Sequence, residues 1–170
     1  ARLKPGATVL DLGAYSGLTT IAFSKAVGST GRVIALEPDP INYRSAEHNL
    51  AAHRRINDLD NVTLLPFAAG ATNDPIALSS EGTMGSALIS IVGSYRGARI
   101  EVEARTLMSL AREQGLERVD FVKVDIEGAE LFVIPASSEF LNKFRPRIVI
   151  EGHPVNGTST VHPLLEFLET

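Results

Sequence analysis

A chain of 170 residues, 44% of them hydrophobic, can bury one substantial core, so a single domain over residues 1–170 is expected. Its 16 basic and 20 acidic residues leave a net charge of −4 without long like-charged runs, which argues against a broad nucleic-acid surface and a charged disordered tail. The lack of cysteine excludes disulfides, thiolate zinc sites and a cysteine nucleophile. No apolar run approaches the ~20 residues of a membrane span, no signal-peptide core stands at the start, and the cytoplasm is the expected location.

The first half alternates buried-strand patterns with helical ones, the rhythm of βαβ units around a parallel sheet. Thr8 to Leu12 is the first expected strand. After a glycine-bearing loop from Gly13 to Gly17, Leu18, Ile21, Ala22 and Ala26 recur at helical spacing, and Gly28 and Gly31 close that helix. Arg32 to Leu36 is strand two. Asp39-Pro40 starts the next helix, aspartate capping free N–H groups and proline suiting the first turn; it is expected to run to about Ile56, with His48 and His53 solvated upon it. Val62 to Phe67 is strand three. Between Ala68 and Arg105, glycine, serine and asparagine clusters separate short β-like stretches at Ile76–Leu78, Ala87–Val92 and Ile100–Ala104, an antiparallel insertion or sheet edge. A turn serine in that insertion, in Gly85-Ser86, is structural rather than catalytic. A helix from Leu107 to Gln114 follows, then a buried strand four at Val119 to Asp125. A helical segment from Gly128 to Phe144, interrupted near Pro135, leads to strand five at Arg147 to Glu151 and a last helix from Val161.

The first loop reads Asp11-Leu12-Gly13-Ala14-Tyr15-Ser16-Gly17. A strand, a glycine turn and a helix place free amides and a positive helix end beside a ligand. The dinucleotide fingerprint G-x-G-x-x-G would need glycines at 13, 15 and 18, where this chain has Gly13, Tyr15 and Leu18. A G-x-S-x-G elbow would need serine at 15, and the serine is Ser16. What remains is D-x-G-x-x-x-G followed by Glu37 at the end of strand two. A carboxylate there can accept hydrogen bonds from both ribose hydroxyls of an adenosine-containing ligand.

Val119-Asp120-Phe121-Val122-Lys123-Val124-Asp125-Ile126-Glu127-Gly128-Ala129-Glu130 closely resembles the signature of the FkbM-type methyltransferases, which use S-adenosylmethionine. Val9 to Ala14, Ala35 to Pro40, Asn49-Leu50 and Arg147 to His153 resemble the family in the same order. The resemblance implies an α/β fold with a Rossmann-like, mostly parallel sheet and helices on both faces. It also implies a closing antiparallel hairpin after the last helix, which this chain lacks, so a truncated carboxyl end is expected. It assigns Asp11, Gly13, Ala14, Tyr15, Ser16 and Gly17 to the cofactor loop at its methionine end, Glu37 and Pro38 to the ribose, and Phe67, Ala68 and Ala69 to the adenine. The chain departs from the family's asparagine at Tyr15 and from its aspartate at Met108.

Transfer of a methyl group to a hydroxyl needs an in-line acceptor and a group that takes its proton. Asp125 and Glu127 close strand four, Glu151 and His153 close strand five, and ligands bind at such carboxyl ends. These four are the expected catalytic residues, with His153 as base because its ordinary pKa lies near neutrality. Such a cluster could hold a divalent cation, but a site without metal is the expectation. The alternative is that Asp125 and Glu127 satisfy amides of the following helix and Glu151 pairs with Arg147. The reading is an S-adenosylmethionine-dependent O-methyltransferase acting on a small-molecule hydroxyl of a sugar, lipid or natural product. Two others stand beside it: a cofactor-binding module without catalysis, motivated by Tyr15, and an NAD-dependent oxidoreductase.

Overall fold

The computed structural model describes residues 3–83, 86–88, 97–155 and 157–169. Five parallel strands form its central sheet: β1 (Thr8–Leu12), β2 (Arg32–Leu36), β3 (Val62–Leu65), β9 (Phe121–Val124) and β10 (Arg147–Ile150), in the order β10-β9-β1-β2-β3. The strand order reverses on either side of β1, so the loops after β1 and β9 diverge and leave a crevice between them.

Strand alternation divides the core between the two faces. Leu10, Leu12, Ile34, Leu36, Val122 and Val124 enter the larger cluster, beneath α3 (Leu107–Glu113), α4 (Glu130–Ala136), α5 (Ser138–Phe144) and α6 (Val161–Leu168). Val9 and Val33 face the other way, with Val27 of α1 (Leu18–Val27) and, at the margin, Phe23 and Phe121. Met108 is part of the larger core, which is why an apolar residue is tolerated there. Each fully buried Leu or Ile contributes about 1.5–3 kcal/mol, so the sheet that carries the loops is the stable part of the molecule.

Asp39 caps α2 (Pro40–Asn57) as expected, its Oδ1 accepting the amides of Ile41 and Asn42 at 2.8 and 3.3 Å. Strand three stops at Leu65 rather than Phe67, because Pro66 has no N–H to continue the ladder. The insertion is antiparallel: β5 (Ile76–Ser80) pairs with both β6 (Ala87–Leu88) and β7 (Ala98–Val102). Flanking it, β4 (Ala68–Ala69) and β8 (Ala104–Arg105) pair in parallel. Gly85 and residues 89–92 of the expected stretch at Ala87–Val92 lie outside the described residues. The helical segment around Pro135 is two helices meeting at Ser137, whose hydroxyl donates to the Val133 carbonyl. A two-residue antiparallel pair, β11 (Pro154–Val155) with β12 (Thr158–Ser159), precedes α6. No helix among the described residues is long and apolar enough to cross a membrane.

His48 is exposed as expected, but His53 is not solvated: it is 4% exposed. Its Nε2 lies 2.8 Å from Ser24 Oγ and its Nδ1 3.0 Å from Asn57 Nδ2. Ser24 gives its own proton to Asn61 Oδ1, so we assign the imidazole proton to Nε2, with Nδ1 accepting from Asn57. The stripe Asn42, Ala46, Leu50 and His53 is the buried face of α2, and that spacing is the signal that places the imidazole inside. Burial, with Lys25 adding to it, holds His53 below the usual imidazole range. The native state therefore carries fewer protons than the unfolded chain, so stability is full above about pH 6.5 and is lost as the pH falls below it. The expected slope is at most about 1.4 kcal/mol per pH unit. Urea melts between pH 8 and 5 should show it in the parent and not in His53→Gln; an equal slope in both would refute the assignment.

Candidate active site

The carboxyl ends of β1, β2, β9 and β10 surround a cavity of about 300 Å³. On the β1 side it is lined by Gly13, Ala14, Tyr15 and Ser16, then by Leu36, Glu37 and Pro38 after β2, and by Phe67, Ala68 and Ala69 after β3. Asn42 of α2 and Leu78, Thr83 and Ser86 of the insertion close one flank, and Lys123, Asp125, Ile126, Glu127 and Glu151 the other. Of the residues assigned to the cofactor, Asp11 and Gly17 do not line the cavity.

The loop is shaped by its own backbone. Gly13 and Gly17 both have φ of 80°, and Tyr15 also lies in the left-handed region at 50°. The amides of Gly13 and Ala14 both donate to the Leu36 carbonyl, at 3.1 and 2.9 Å, and the Tyr15 amide donates to Glu37 Oε2 at 2.7 Å. Those three amides are therefore committed to protein acceptors and not directed at a ligand, as the strand–turn–helix pattern suggested. Tyr15 is 38% exposed at the cavity edge. Asn49 secures the far end of the loop, its Nδ2 donating to the Ser16 carbonyl.

Glu37 is buried at the cavity wall, its other oxygen accepting the Asp39 amide at 3.0 Å. Burial raises its pKa to about 7, helped by the Asp39 carboxylate and opposed by the two amides. Asp39 itself ties the insertion to α2, since its Oδ2 accepts the Gly82 amide at 3.1 Å and the Ser86 hydroxyl at 2.6 Å. Asp11 lies beneath the loop, fully buried, accepting from Thr20 Oγ1 at 2.6 Å, and burial pushes its carboxyl up.

At the other end the four expected catalytic residues divide. Asp125, Glu127 and Glu151 line the cavity, whereas His153 stands behind the first two. Its Nε2 is 3.5 Å from both Asp125 Oδ1 and Glu127 Oε1. Burial raises the Glu127 carboxyl; the neighbouring acids Asp125, Glu130 and Glu151 reinforce this, and His153 opposes it. Asp125, Glu127 and His153 each bring one ligand atom within 4.8 Å of the others, a donor set that a divalent cation accepts.

Two residues of this site had no role in the sequence reading. Glu130, fully buried, accepts the Gly128 amide on Oε2, and on Oε1 the His153 amide and the Thr160 hydroxyl. It is therefore Glu130, rather than Asp125 or Glu127, that takes an amide at the start of α4. The same Oε1 is 3.4 Å from His153 Nδ1, which finds no hydrogen-bond partner among the described residues. Lys123 lies between Asp11, Gly13 and Asp125. Both residues sit in the quoted motif, but only the fold shows what they touch.

A family model described as Methyltransferase FkbM domain matches residues 11–170. The chain is 26% identical over 194 residues to Methyltransferase sdnD of Sordaria araneosa, covering 99% of this chain and 73% of that protein. It is 27% identical over 157 residues to the 2-O-methyltransferase NoeI of Sinorhizobium fredii, covering 84% of this chain and 62% of that protein. The crystal structure of methyltransferase FkbM from Methylobacillus flagellatus KT has the same fold, with a TM-score of 0.68 at 18% identity, over 99% of this chain and 38% of that one. The chain thus spans part of the length of each of these proteins. A match that runs from Asp11 through every element lining the cavity places the chain in the FkbM methyltransferase domain family.

Proposed function

We propose that residues 1–170 are a single S-adenosylmethionine-binding domain of an O-methyltransferase whose acceptor is a small-molecule hydroxyl, on a sugar, lipid or natural product. The observation that carries this reading is one cavity with a buried carboxylate, Glu37, at one end and a carboxylate cluster at the other. The cavity chemistry fits the cofactor: Glu37 keeps lone pairs for ribose hydroxyls, Phe67, Ala68, Ala69 and Leu78 give an apolar wall for a purine, and the loop from Gly13 to Ser16 faces the methionine portion. When bound, S-adenosylmethionine supplies an electrophilic methyl group on a sulfonium. The protein's part is then to orient the hydroxyl and accept its proton. Glu127 takes that proton, since it faces the cavity and its pKa is raised, and His153 behind it stabilises the carboxylate pair. This moves the role of base from His153 to Glu127 and needs no metal. The 2-O-methyltransferase among the relatives supports an oxygen acceptor, and the cysteine-free composition suits a cytoplasmic enzyme.

Calorimetric titration with S-adenosylhomocysteine, with NAD as competitor, tests the reading without knowledge of the acceptor. Micromolar binding that NAD does not displace is the expected result. Tighter binding of NAD would make the protein an oxidoreductase, and binding without turnover on any hydroxyl acceptor would make it a cofactor module.

A further inference from the structure

Lys123 of β9 stands directly beside Asp11 of β1 in the strand register. Its ammonium lies 2.9 Å from the Gly13 carbonyl oxygen, 3.1 Å from Asp125 Oδ2 and 3.3 Å from Asp11 Oδ1, with 13% of the side chain exposed. The ammonium donates a hydrogen bond to the Gly13 carbonyl and forms ion pairs with the two carboxylates, so it faces three protein oxygens at once. Burying such a charge is costly, and two positions earlier on the same face Phe121 packs against Phe23, so an apolar side chain would suit the fold at 123.

The three oxygens belong to different parts of the site. Gly13 begins the loop that carries Tyr15 to Glu37. Asp125 belongs to the far end, its second oxygen facing His153. Asp11, held from α1 by Thr20, is the buried counter-charge beneath both. We propose that Lys123 is a positioning residue that ties the cofactor loop to the acid at the acceptor end, so that one ammonium sets both the shape of the loop and the orientation of Asp125. The proposal rests on the reading of the loop as the S-adenosylmethionine site.

The test is a double-mutant cycle read by calorimetric titration of S-adenosylhomocysteine into the parent, Lys123→Met, Asp125→Asn and the double variant, with folding checked by circular dichroism. Lys123→Met should weaken binding about tenfold or more, the size of a lost charge-assisted hydrogen bond. The two single effects should not multiply in the double variant. Propylammonium, but not propanol, should restore part of the affinity of Lys123→Ala, a charge-specific rescue that a merely structural role would not give. If the parent fails to bind, the cofactor reading falls and this proposal falls with it. If the parent binds and Lys123→Met binds within about twofold of it, or the effects multiply independently, the proposal alone is overturned. Loss of the fold in both Lys123→Met and Lys123→Gln would make the residue structural and overturn it too.

Discussion

Replacing Gly13 by alanine should destabilise the protein by more than about 3 kcal/mol and abolish binding of S-adenosylhomocysteine. A Cβ at Gly13 would lie 1.8 Å from the Asp125 backbone oxygen, and the residue's φ of 80° is one that side chains rarely adopt. The chain at Asp125 cannot retreat freely, because the Asp125 amide is bonded to the Leu12 carbonyl and the strand before it is paired in the sheet. The loop and β9 must therefore separate, and they form the two walls of the cavity. Gly17→Ala is the control: the same φ, but a Cβ 3.4 Å from its nearest neighbour, Ala46, so only the backbone cost of about 1–2 kcal/mol applies. Denaturant midpoints compare the two. Equal losses would mean that the close approach of loop and strand has no part in stability.

Glu37→Ala should weaken S-adenosylhomocysteine binding by about 1–3 kcal/mol, from lost charge-assisted bonds to the ribose and from two amides, those of Tyr15 and Asp39, left without their acceptor. The raised pKa adds a signature. With the free carboxyl titrating at about 7, against an ordinary 4.5, the unliganded native state keeps its proton longer than the unfolded chain. Stability contributed by this group is thus present below about pH 4.5 and is lost as the pH rises to 7. Ribose hydroxyls donate to the ionised form, so affinity should increase from pH 6 to pH 8 by up to about tenfold per unit, levelling above the pKa. Glu37→Gln should bind more weakly with a flat profile. Parent affinity independent of pH over this range, or unchanged in Glu37→Ala, would remove Glu37 from the ribose site.

The order of strands and helices was legible because buried parallel strands are continuous apolar runs and because Asp39, Gly28 and Gly115 punctuate them. Errors came where a local covalent fact or a tertiary contact decides. Pro66 ends β3 two residues early, although Phe67 continues the apolar run. A polar residue on a mostly polar helix is usually outside, so His53 alone suggests a solvated ring, and only its spacing with Ala46 and Leu50 shows otherwise. In the site, Glu37 and the loop were visible as a strand-end acid and a glycine pattern. Glu130 and Lys123 were visible as letters of a motif, but their partners are 23 and 110 positions away, His153 and Gly13, and periodicity carries no such distance. The position of His153 behind the carboxylates, rather than at the cavity, depends on Glu130 holding its amide and could not be read from an i, i+2 spacing.

The peptide ladder does not stop where the strands do. The amides of Gly13, Glu37, Asp125 and Glu151 donate to Leu36, Leu65, Leu12 and Val124, each one bond beyond its own strand. At Glu151 address and chemistry are thereby separate: main chain fixes where the residue stands, while its exposed side chain lines the cavity. A saturation library at 151, which is neither held by the Lys123 ammonium nor the proposed base, is the natural starting place for redirecting the proposed methyltransferase to new acceptors.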